Sequence, residues 1–215
     1  MRVGVDPNWY PINFGPQVAY VNGYTEDLLL EMARYGGIAF ELIPANWDTL
    51  LDGLQGKKYD AILTSMPPYE YNVAKYDFSK NFLDLGAVLI VPTASKQDDL
   101  SQMEGHRVGI IVNDAAALIL ERYSSVLVST YSSIPDLLDA LAAGEIQGAV
   151  LPRIPAIHFV ADLYQGKIKV VGAPMTDLGL HLVAPKGRGK EFCKILETLR
   201  KRKVLDPLLK KWSLS

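Results

Sequence analysis

One pattern occurs twice in this chain, as WDTLLDGLQGKKYDAIL at residues 47–63 and as IPDLLDALAAGEIQGAVL at residues 134–151. In both copies apolar residues recur at i, i+3, i+4 and i+7, which is the spacing of one helix face. A glycine then stops the helix, and a short apolar run follows that is typical of a buried strand. The repeat therefore predicts two similar helix–strand units.

A further strand precedes each copy and also begins alike, as RVGV at residues 2–5 and RVGI at residues 107–110. Strands that alternate with helices predict an α/β fold with mainly parallel sheets. Two such lobes would form a cleft, and ligands bind beyond the carboxyl ends of parallel strands. We therefore expect the site in the loops that follow Val5, Leu63, Ile111 and Leu151.

The composition is that of an ordinary soluble globular protein, with 215 residues, 49% hydrophobic and 21% charged. A net charge of −2 disfavours nucleic acid as a partner, because phosphate binding needs a basic surface. The single cysteine, Cys193, excludes an intrachain disulfide, and no run of 18 apolar residues predicts a membrane span. A strand starts directly at Arg2 with no signal peptide, which is expected of a cytoplasmic protein or of one whose leader lies outside this chain.

Local signals also predict where the first long helix begins. Asn22-Gly23 is typical of a turn, and Thr25 suits the N-cap of a helix over residues 25–35. The helix of the first repeat is expected over Asp48 to Gln55.

The histidines are far apart, without metal-ligand spacing, and no nucleophile or phosphate-loop motif is present. We therefore expect neither catalysis, nor a metal, nor a cofactor.

Several stretches, in this order, resemble family 3 of the bacterial extracytoplasmic solute-binding proteins. They are residues 40–51 (FELIPANWDTLL), 54–57 (LQGK), 59–62 (YDAI), 77–79 (DFS), 108–110 (VGI) and 204–212 (VLDPLLKKW). The resemblance implies a two-lobed Venus-flytrap fold of the type II periplasmic-binding class. Lobe 1 would comprise residues 1–89 plus 179–215 and lobe 2 residues 90–178, with hinge strands near 85–91 and 178–184.

The resemblance also implies a clamp for an α-amino acid, built from an arginine, small hydroxyl residues and a carboxylate. The positions in this chain that correspond to the clamp are Pro67, Tyr69, Asn72, Asn113, Asp114, Ala115 and Pro152. Asn72 stands where the arginine would bind the ligand carboxylate, and Pro152 where the acid would receive the ammonium group. All three parts of the clamp have changed together, so the resemblance implies an altered ligand.

Aromatic and charged residues remain as candidate ligand contacts. Trp9 and Trp47 stand where the family places aromatics over its ligand, and Tyr69 falls in the same segment as Asn72. Other candidates are Ser65, Asp114 and Arg153. The alternatives are structural: Trp47 as a packing residue at a helix start, Asp114 and Arg153 as a rim salt bridge, and the lobe pair as a scaffold without a ligand.

The predicted function is that of an extracytoplasmic binding protein of an ABC-type transporter. It would capture a small polar or zwitterionic, amino-acid-like solute and deliver it to a membrane permease. The alternative is the sensor domain of a membrane kinase or cyclase, because residues 6–12 (DPNWYPI) are similar to the opening of such domains. We expect a periplasmic or extracytoplasmic monomer, whose membrane anchor, where one exists, lies outside this chain.

Overall fold

The computed structural model describes all residues from 1 to 215, and they fall into two compact units. Unit 1 comprises Met1–Asp84 together with Leu178–Ser215, and unit 2 comprises Leu85–Asp177. The chain therefore leaves unit 1 once and returns to it once. The lobe and hinge boundaries that the resemblance implies stay predictions.

The units contain eleven strands and eight α-helices. The strands are β1 (Arg2–Val5), β2 (Glu41–Pro44), β3 (Ala61–Thr64), β4 (Tyr76–Phe78), β5 (Leu83–Asp84), β6 (Ala87–Pro92), β7 (Arg107–Ile111), β8 (Leu127–Tyr131), β9 (Gly148–Pro152), β10 (Ile168–Val171) and β11 (Gly179–Pro185). The helices are α1 (Val18–Gly36), α2 (Trp47–Gln55), α3 (Glu70–Val73), α4 (Ala116–Leu120), α5 (Ile134–Ala142), α6 (Arg153–Asp162), α7 (Lys190–Lys201) and α8 (Leu205–Lys211). Short 3-10 helices occur at Gly15–Gln17 and Leu100–Met103.

Five strands of one sheet have the same order and directions as the five of the other, and the parallel part of each contains the repeated sequence. Unit 1 has the order β2-β1-β3-β11-β4, with β5 paired to β11, and unit 2 has the order β8-β7-β9-β6-β10. In each sheet three strands run parallel, β2-β1-β3 in one and β8-β7-β9 in the other. The nine-residue helices α2 and α5 are the crossovers of the two copies. The predicted α/β, type II fold is confirmed.

Each sheet is mixed, whereas the strand–helix alternation predicts a mainly parallel one. β11 pairs antiparallel with β3, β4 and β5, and β6 pairs antiparallel with β9 and β10. A parallel neighbour requires a crossover connection, usually a helix, and β11 enters unit 1 directly from unit 2 without one. The apolar run of such a strand is the same in either direction, so its direction cannot be inferred from its composition.

A glycine in the first strand of each copy lets the repeat pack closely. A Cβ atom on Gly4 would lie 2.7 Å from the ring of Tyr59, and one on Gly109 would lie 2.8 Å from Cδ1 of Ile146. Tyr59 also donates a hydrogen bond from its hydroxyl to the Leu50 carbonyl at 2.6 Å. In the second copy Leu137 of α5 lies closer still to this position, so the RVG glycine marks the point where each crossover segment packs directly on the sheet.

The prediction for the start of α1 is wrong. The helix begins at Val18, and Asn22, Gly23 and Thr25 all lie inside it. Thr25 is buried and donates from Oγ1 to the Val21 carbonyl at 2.8 Å, so it does not cap the helix. Gly23 instead leaves room for the ring of Trp212. Tertiary packing therefore overrides the local turn preference of Asn-Gly.

His181 lies inside β11 with 5% of its surface exposed. We expect its burial to make the free energy of unfolding depend on pH. Its Nδ1 donates to the Ser79 carbonyl at 3.0 Å, because a carbonyl can only accept. Burial lowers the pKa of His181 from 6.5, against the opposing effects of this hydrogen bond and of Asp84. The unfolded chain therefore takes up a proton first as the pH falls.

We expect the free energy of unfolding to fall below pH 6.5, the unfolded value, until the lowered folded pKa is reached. The slope from this group is at most about 1.4 kcal/mol per pH unit. Urea unfolding at several pH values between 5 and 8 measures it. The variant His181→Asn retains a donor for Ser79 and should lose this component of the slope. An identical pH dependence in both proteins would show that His181 does not control it.

Candidate functional site

In unit 1 a pocket lies at the carboxyl end of β3, against the first turn of α2. Its volume is about 270 Å³. It is lined by Trp47, Asp48, Leu50, Leu51, Ile62, Thr64 and Met66. Trp47 is half-buried, and its ring meets that of Tyr10 edge-on with centroids 6.4 Å apart. The walls are mostly apolar, so the pocket suits a ring or an aliphatic group, and Asp48 supplies one negative charge.

Asp6 positions Trp47 at this pocket. Asp6 directly follows β1, and its Oδ2 accepts a hydrogen bond from the backbone N–H of Trp47 at 3.1 Å. Its Oδ1 accepts from the N–H of Asn8 at 2.9 Å. A carboxylate at a helix N-terminus satisfies a free N–H and complements the helix dipole. Asp6 therefore fixes the start of α2, a role that sequence reasoning missed because the two residues are 41 positions apart.

Trp9, a predicted ligand contact, is buried in unit 1 with 3% of its surface exposed. Its indole Nε1 donates to Oδ1 of Asn22 on α1 at 2.6 Å, and its ring packs edge-on against Phe82 at 6.5 Å. It holds a positive φ of 61°, which is uncommon for a bulky residue. The structure thus shows Trp9 joining the loop after β1 to α1, and a contact with a ligand stays a prediction.

Ser65, Tyr69 and Asn72 lie in one segment after β3. Ser65 is buried directly beyond the strand, whereas Tyr69 is exposed with its ring 5.7 Å from that of Tyr71. Asn72 is 7% exposed, and its Nδ2 donates to the Pro67 carbonyl at 2.9 Å. The Asn72 amide therefore closes the turn before α3, and one of its two N–H groups is used within the segment.

Asp114 and Arg153 follow the neighbouring parallel strands β7 and β9 of unit 2. Oδ1 of Asp114 accepts from the N–H of Ala116 at 2.7 Å at the start of α4. Arg153 is half-buried and begins α6, and its N–H donates to the Gly86 carbonyl at 3.2 Å. No ion pair joins the two side chains, so the alternative of a mutual salt bridge is not formed.

The family model of the bacterial extracellular solute-binding proteins, family 3, matches residues 1–215. The chain belongs to this family. The family consists of extracytoplasmic binding proteins, and amino-acid-binding periplasmic proteins are among the relatives of this chain. No helix of this member has the length and apolar character that crossing a bilayer requires.

Among the relatives is the L-cystine-binding protein TcyJ of Escherichia coli K12, which is 24% identical over 166 residues. The match covers 74% of this solute-binding protein and 61% of TcyJ. The chain therefore spans about three fifths of the length of this relative.

Solved structures agree in fold over the whole chain. The L-cystine solute receptor of Neisseria gonorrhoeae has a TM-score of 0.75 at 15% identity, covering 100% of this chain and 92% of that one. An ancestral cyclohexadienyl dehydratase also has a TM-score of 0.75, at 18% identity, covering 99% and 92% of the two chains. At these identities the likeness shows the fold alone, and the fold carries both a receptor and an enzyme.

Proposed function

We propose that this solute-binding protein captures a small polar or zwitterionic, amino-acid-like solute and delivers it to an ABC-type permease. The observation that carries the proposal is the match of the family model to residues 1–215. The ligand would bind in the cleft between lobe 1, residues 1–89 plus 179–215, and lobe 2, residues 90–178, with hinges near 85–91 and 178–184. The protein would act as a monomer outside the cytoplasm.

Trp47 would form the ligand-facing wall on lobe 1, because it lines an apolar pocket at the carboxyl end of β3. Ser65, Tyr69 and Asn72 follow the same strand and would contribute polar and aromatic contacts. Trp9 would support this surface from the neighbouring loop. Tyr69 and Tyr71 are both exposed, with their rings against each other, so Tyr69 would be accessible to a ligand.

Asp114 and Arg153 would supply the charged contacts of lobe 2. They lie at the ends of adjacent strands with opposite charges, and the Arg153 guanidinium is engaged in no ion pair of the structure. A free, half-buried guanidinium is suited to binding a carboxylate in bidentate fashion. This placement supports a ligand anion held from lobe 2.

The family's usual clamp would be altered at both ends. Asn72 is neutral and already donates to Pro67, and Pro152 has neither a charge nor an N–H group. Loss of an ion pair to a desolvated ligand charge costs about 2–5 kcal/mol when that charge remains. We therefore propose that the ligand is not an ordinary free α-amino acid bound in the family's usual way.

A sensor domain of a membrane kinase or cyclase is the second candidate, favoured by the similarity of residues 6–12 to the opening of such domains. The flanking gene sequence distinguishes the two functions. A leader or lipid-attachment cysteine upstream supports transport, whereas a membrane helix after Ser215 followed by a signalling module supports sensing.

Mass spectrometry of the small molecules released from denatured, purified protein tests the proposal. We expect one amino-acid-like compound in near-stoichiometric amount, and the same compound should raise the unfolding temperature when added back. A ligand that binds only the folded state stabilises it by about 2.7 kcal/mol at a hundredfold excess over Kd. If no compound is released and no compound in a broad thermal-shift screen stabilises the protein, the proposal is wrong and the scaffold alternative stands.

A further inference from the structure

A second, larger pocket of about 490 Å³ lies in unit 1, away from the candidate site. It is formed where β1 and β3 begin: Arg2 is the first residue of β1, and Asp60 directly precedes β3. The candidate site with Thr64 and Met66 lies at the opposite, carboxyl end of β3. The two pockets thus lie toward opposite ends of β3 and share no lining residue, so the proposed solute site does not account for the second one.

The rim of this pocket is strongly basic. Its charged lining residues are Arg2, Lys57, Lys75, Arg188 and Asp60. Four cations and one carboxylate leave a formal charge of +3 in a chain whose net charge is −2. A concentration of one sign of charge in a concave surface attracts ligands of the other sign.

The one carboxylate in the lining is already satisfied. Asp60 accepts from the backbone N–H of Arg2 at 2.8 Å and from its guanidinium at 3.5 Å. The backbone hydrogen bond from Arg2 is the main cause that holds the pKa of Asp60 below its usual value, so the acid stays ionised and paired. Lys57, Lys75 and Arg188 take part in no ion pair. Three cationic residues therefore line the pocket without a carboxylate partner.

The floor of the pocket is suited to an organic molecule. It is formed by Leu54, Tyr59, Tyr76 and Pro185, whose side chains are mostly apolar. The Tyr76 hydroxyl accepts from Nε2 of Gln55 at 2.9 Å, so its own O–H is not used in this hydrogen bond. Small-molecule pockets commonly measure about 300–1,000 Å³ and combine apolar walls with a few polar groups.

Lys57 also occupies an unusual backbone position at the rim. It follows the C-terminus of α2 with a φ of 58°, in the left-handed region where glycine is favoured. Its carbonyl accepts a hydrogen bond from the Arg2 guanidinium at 3.1 Å. A lysine is thus held where glycine would fit with less strain, and its side chain adds a charge to the pocket.

We propose that this pocket binds a small polyanion, one that carries two or more negative charges on carboxylate or phosphate groups, at a site separate from the solute site. The anionic groups would pair with Lys57, Lys75 and Arg188, while the body of the molecule would rest on the tyrosine floor. Bound anion would remove the mutual repulsion of the three cations and stabilise unit 1.

Calorimetric titration at constant ionic strength tests this site with three probes: citrate, inorganic phosphate and acetate. We expect saturable binding of citrate or phosphate at millimolar concentration or tighter, and none of acetate, because one charge cannot engage several cations. Tighter binding of citrate assigns the site to polycarboxylates, and tighter binding of phosphate assigns it to phosphate compounds. The double variant Lys75→Gln/Arg188→Gln should weaken binding about tenfold, in line with two exposed ion pairs.

Lys58→Gln is the matched control, since Lys58 is the exposed lysine beside Lys57 that does not line the pocket. It should bind the anion within about twofold of the wild-type protein. Trp47→Ala should also leave anion binding unchanged, which separates this proposal from the solute site. Absence of saturable binding, or equal weakening by Lys58→Gln and by the double variant, would overturn the proposal.

Lys57→Gly separates binding from stability. Glycine relieves the left-handed backbone and retains the carbonyl that Arg2 contacts, so the unliganded variant should unfold at the same temperature as the wild type or higher. Its anion affinity should nevertheless fall. If Lys57→Gly binds citrate and phosphate as the wild type does, Lys57 is not part of the site, and the three-cation proposal is wrong.

Discussion

Replacing Trp9 by alanine is expected to destabilise the protein by about 3–5 kcal/mol, the usual cost of removing a large buried aromatic side chain. The ring is almost fully buried, and its packing against Phe82 would be lost together with the hydrogen bond to Asn22. Asn22 lies inside α1, so its Oδ1 would lose its partner beside the cavity. Urea unfolding followed by circular dichroism measures the change.

Tyr71→Ala is the control for this variant, because Tyr71 is 66% exposed and its ring lies against that of Tyr69. It should change the free energy of unfolding by less than about 1 kcal/mol. A loss below about 1 kcal/mol in Trp9→Ala, combined with loss of ligand affinity, would show that Trp9 is a ligand surface as the sequence predicts. The structural role assigned to it would then be wrong.

Replacing Trp47 by alanine is expected to have the opposite profile, with a large effect on affinity and a small one on stability. Trp47 is half-buried and lines the apolar pocket at the end of β3. Tryptophan residues that close a binding pocket typically contribute about 2–4 kcal/mol to affinity, or roughly 30–1,000-fold in Kd. The backbone N–H of residue 47 would still donate to Asp6, so α2 should begin unchanged.

Titration of Trp47→Ala with the compound released from the wild-type protein measures this effect. Tyr35→Ala is the control, since Tyr35 is an exposed aromatic near the end of α1, outside the candidate pocket. Its affinity should equal that of the wild type. Unchanged affinity in Trp47→Ala would instead assign Trp47 the alternative role of a packing residue at the start of a helix.

The repeated passage predicts the fold because its signals are local. The apolar spacing of residues 47–63 and 134–151 defines each crossover helix, and the following glycine and apolar run define the next strand. Two parallel three-stranded cores follow from this, and both are present. The direction of β6 and β11 cannot be inferred from the local sequence, because an apolar run fits a parallel and an antiparallel neighbour equally well.

The candidate site was less predictable because its residues depend on distant partners. Asp6 holds the start of α2 through a hydrogen bond across 41 positions, which no local spacing reveals. An aromatic loop shows that rings are available but not which of them is buried, so Trp9 and Trp47 look equivalent in the sequence and differ in the structure. Asn72 is similarly ambiguous until its bond to Pro67 is seen.

Calorimetric titration of the ligand-free protein with L-arginine, L-histidine and L-glutamine tests the central claim most directly. The claim is that the scaffold of the family is retained while its α-amino-acid clamp is altered at Asn72 and Pro152. We predict no saturable binding of any of the three at micromolar concentration, because neither position can hold an end of the ligand. Micromolar or tighter binding of any one of them would contradict the claim.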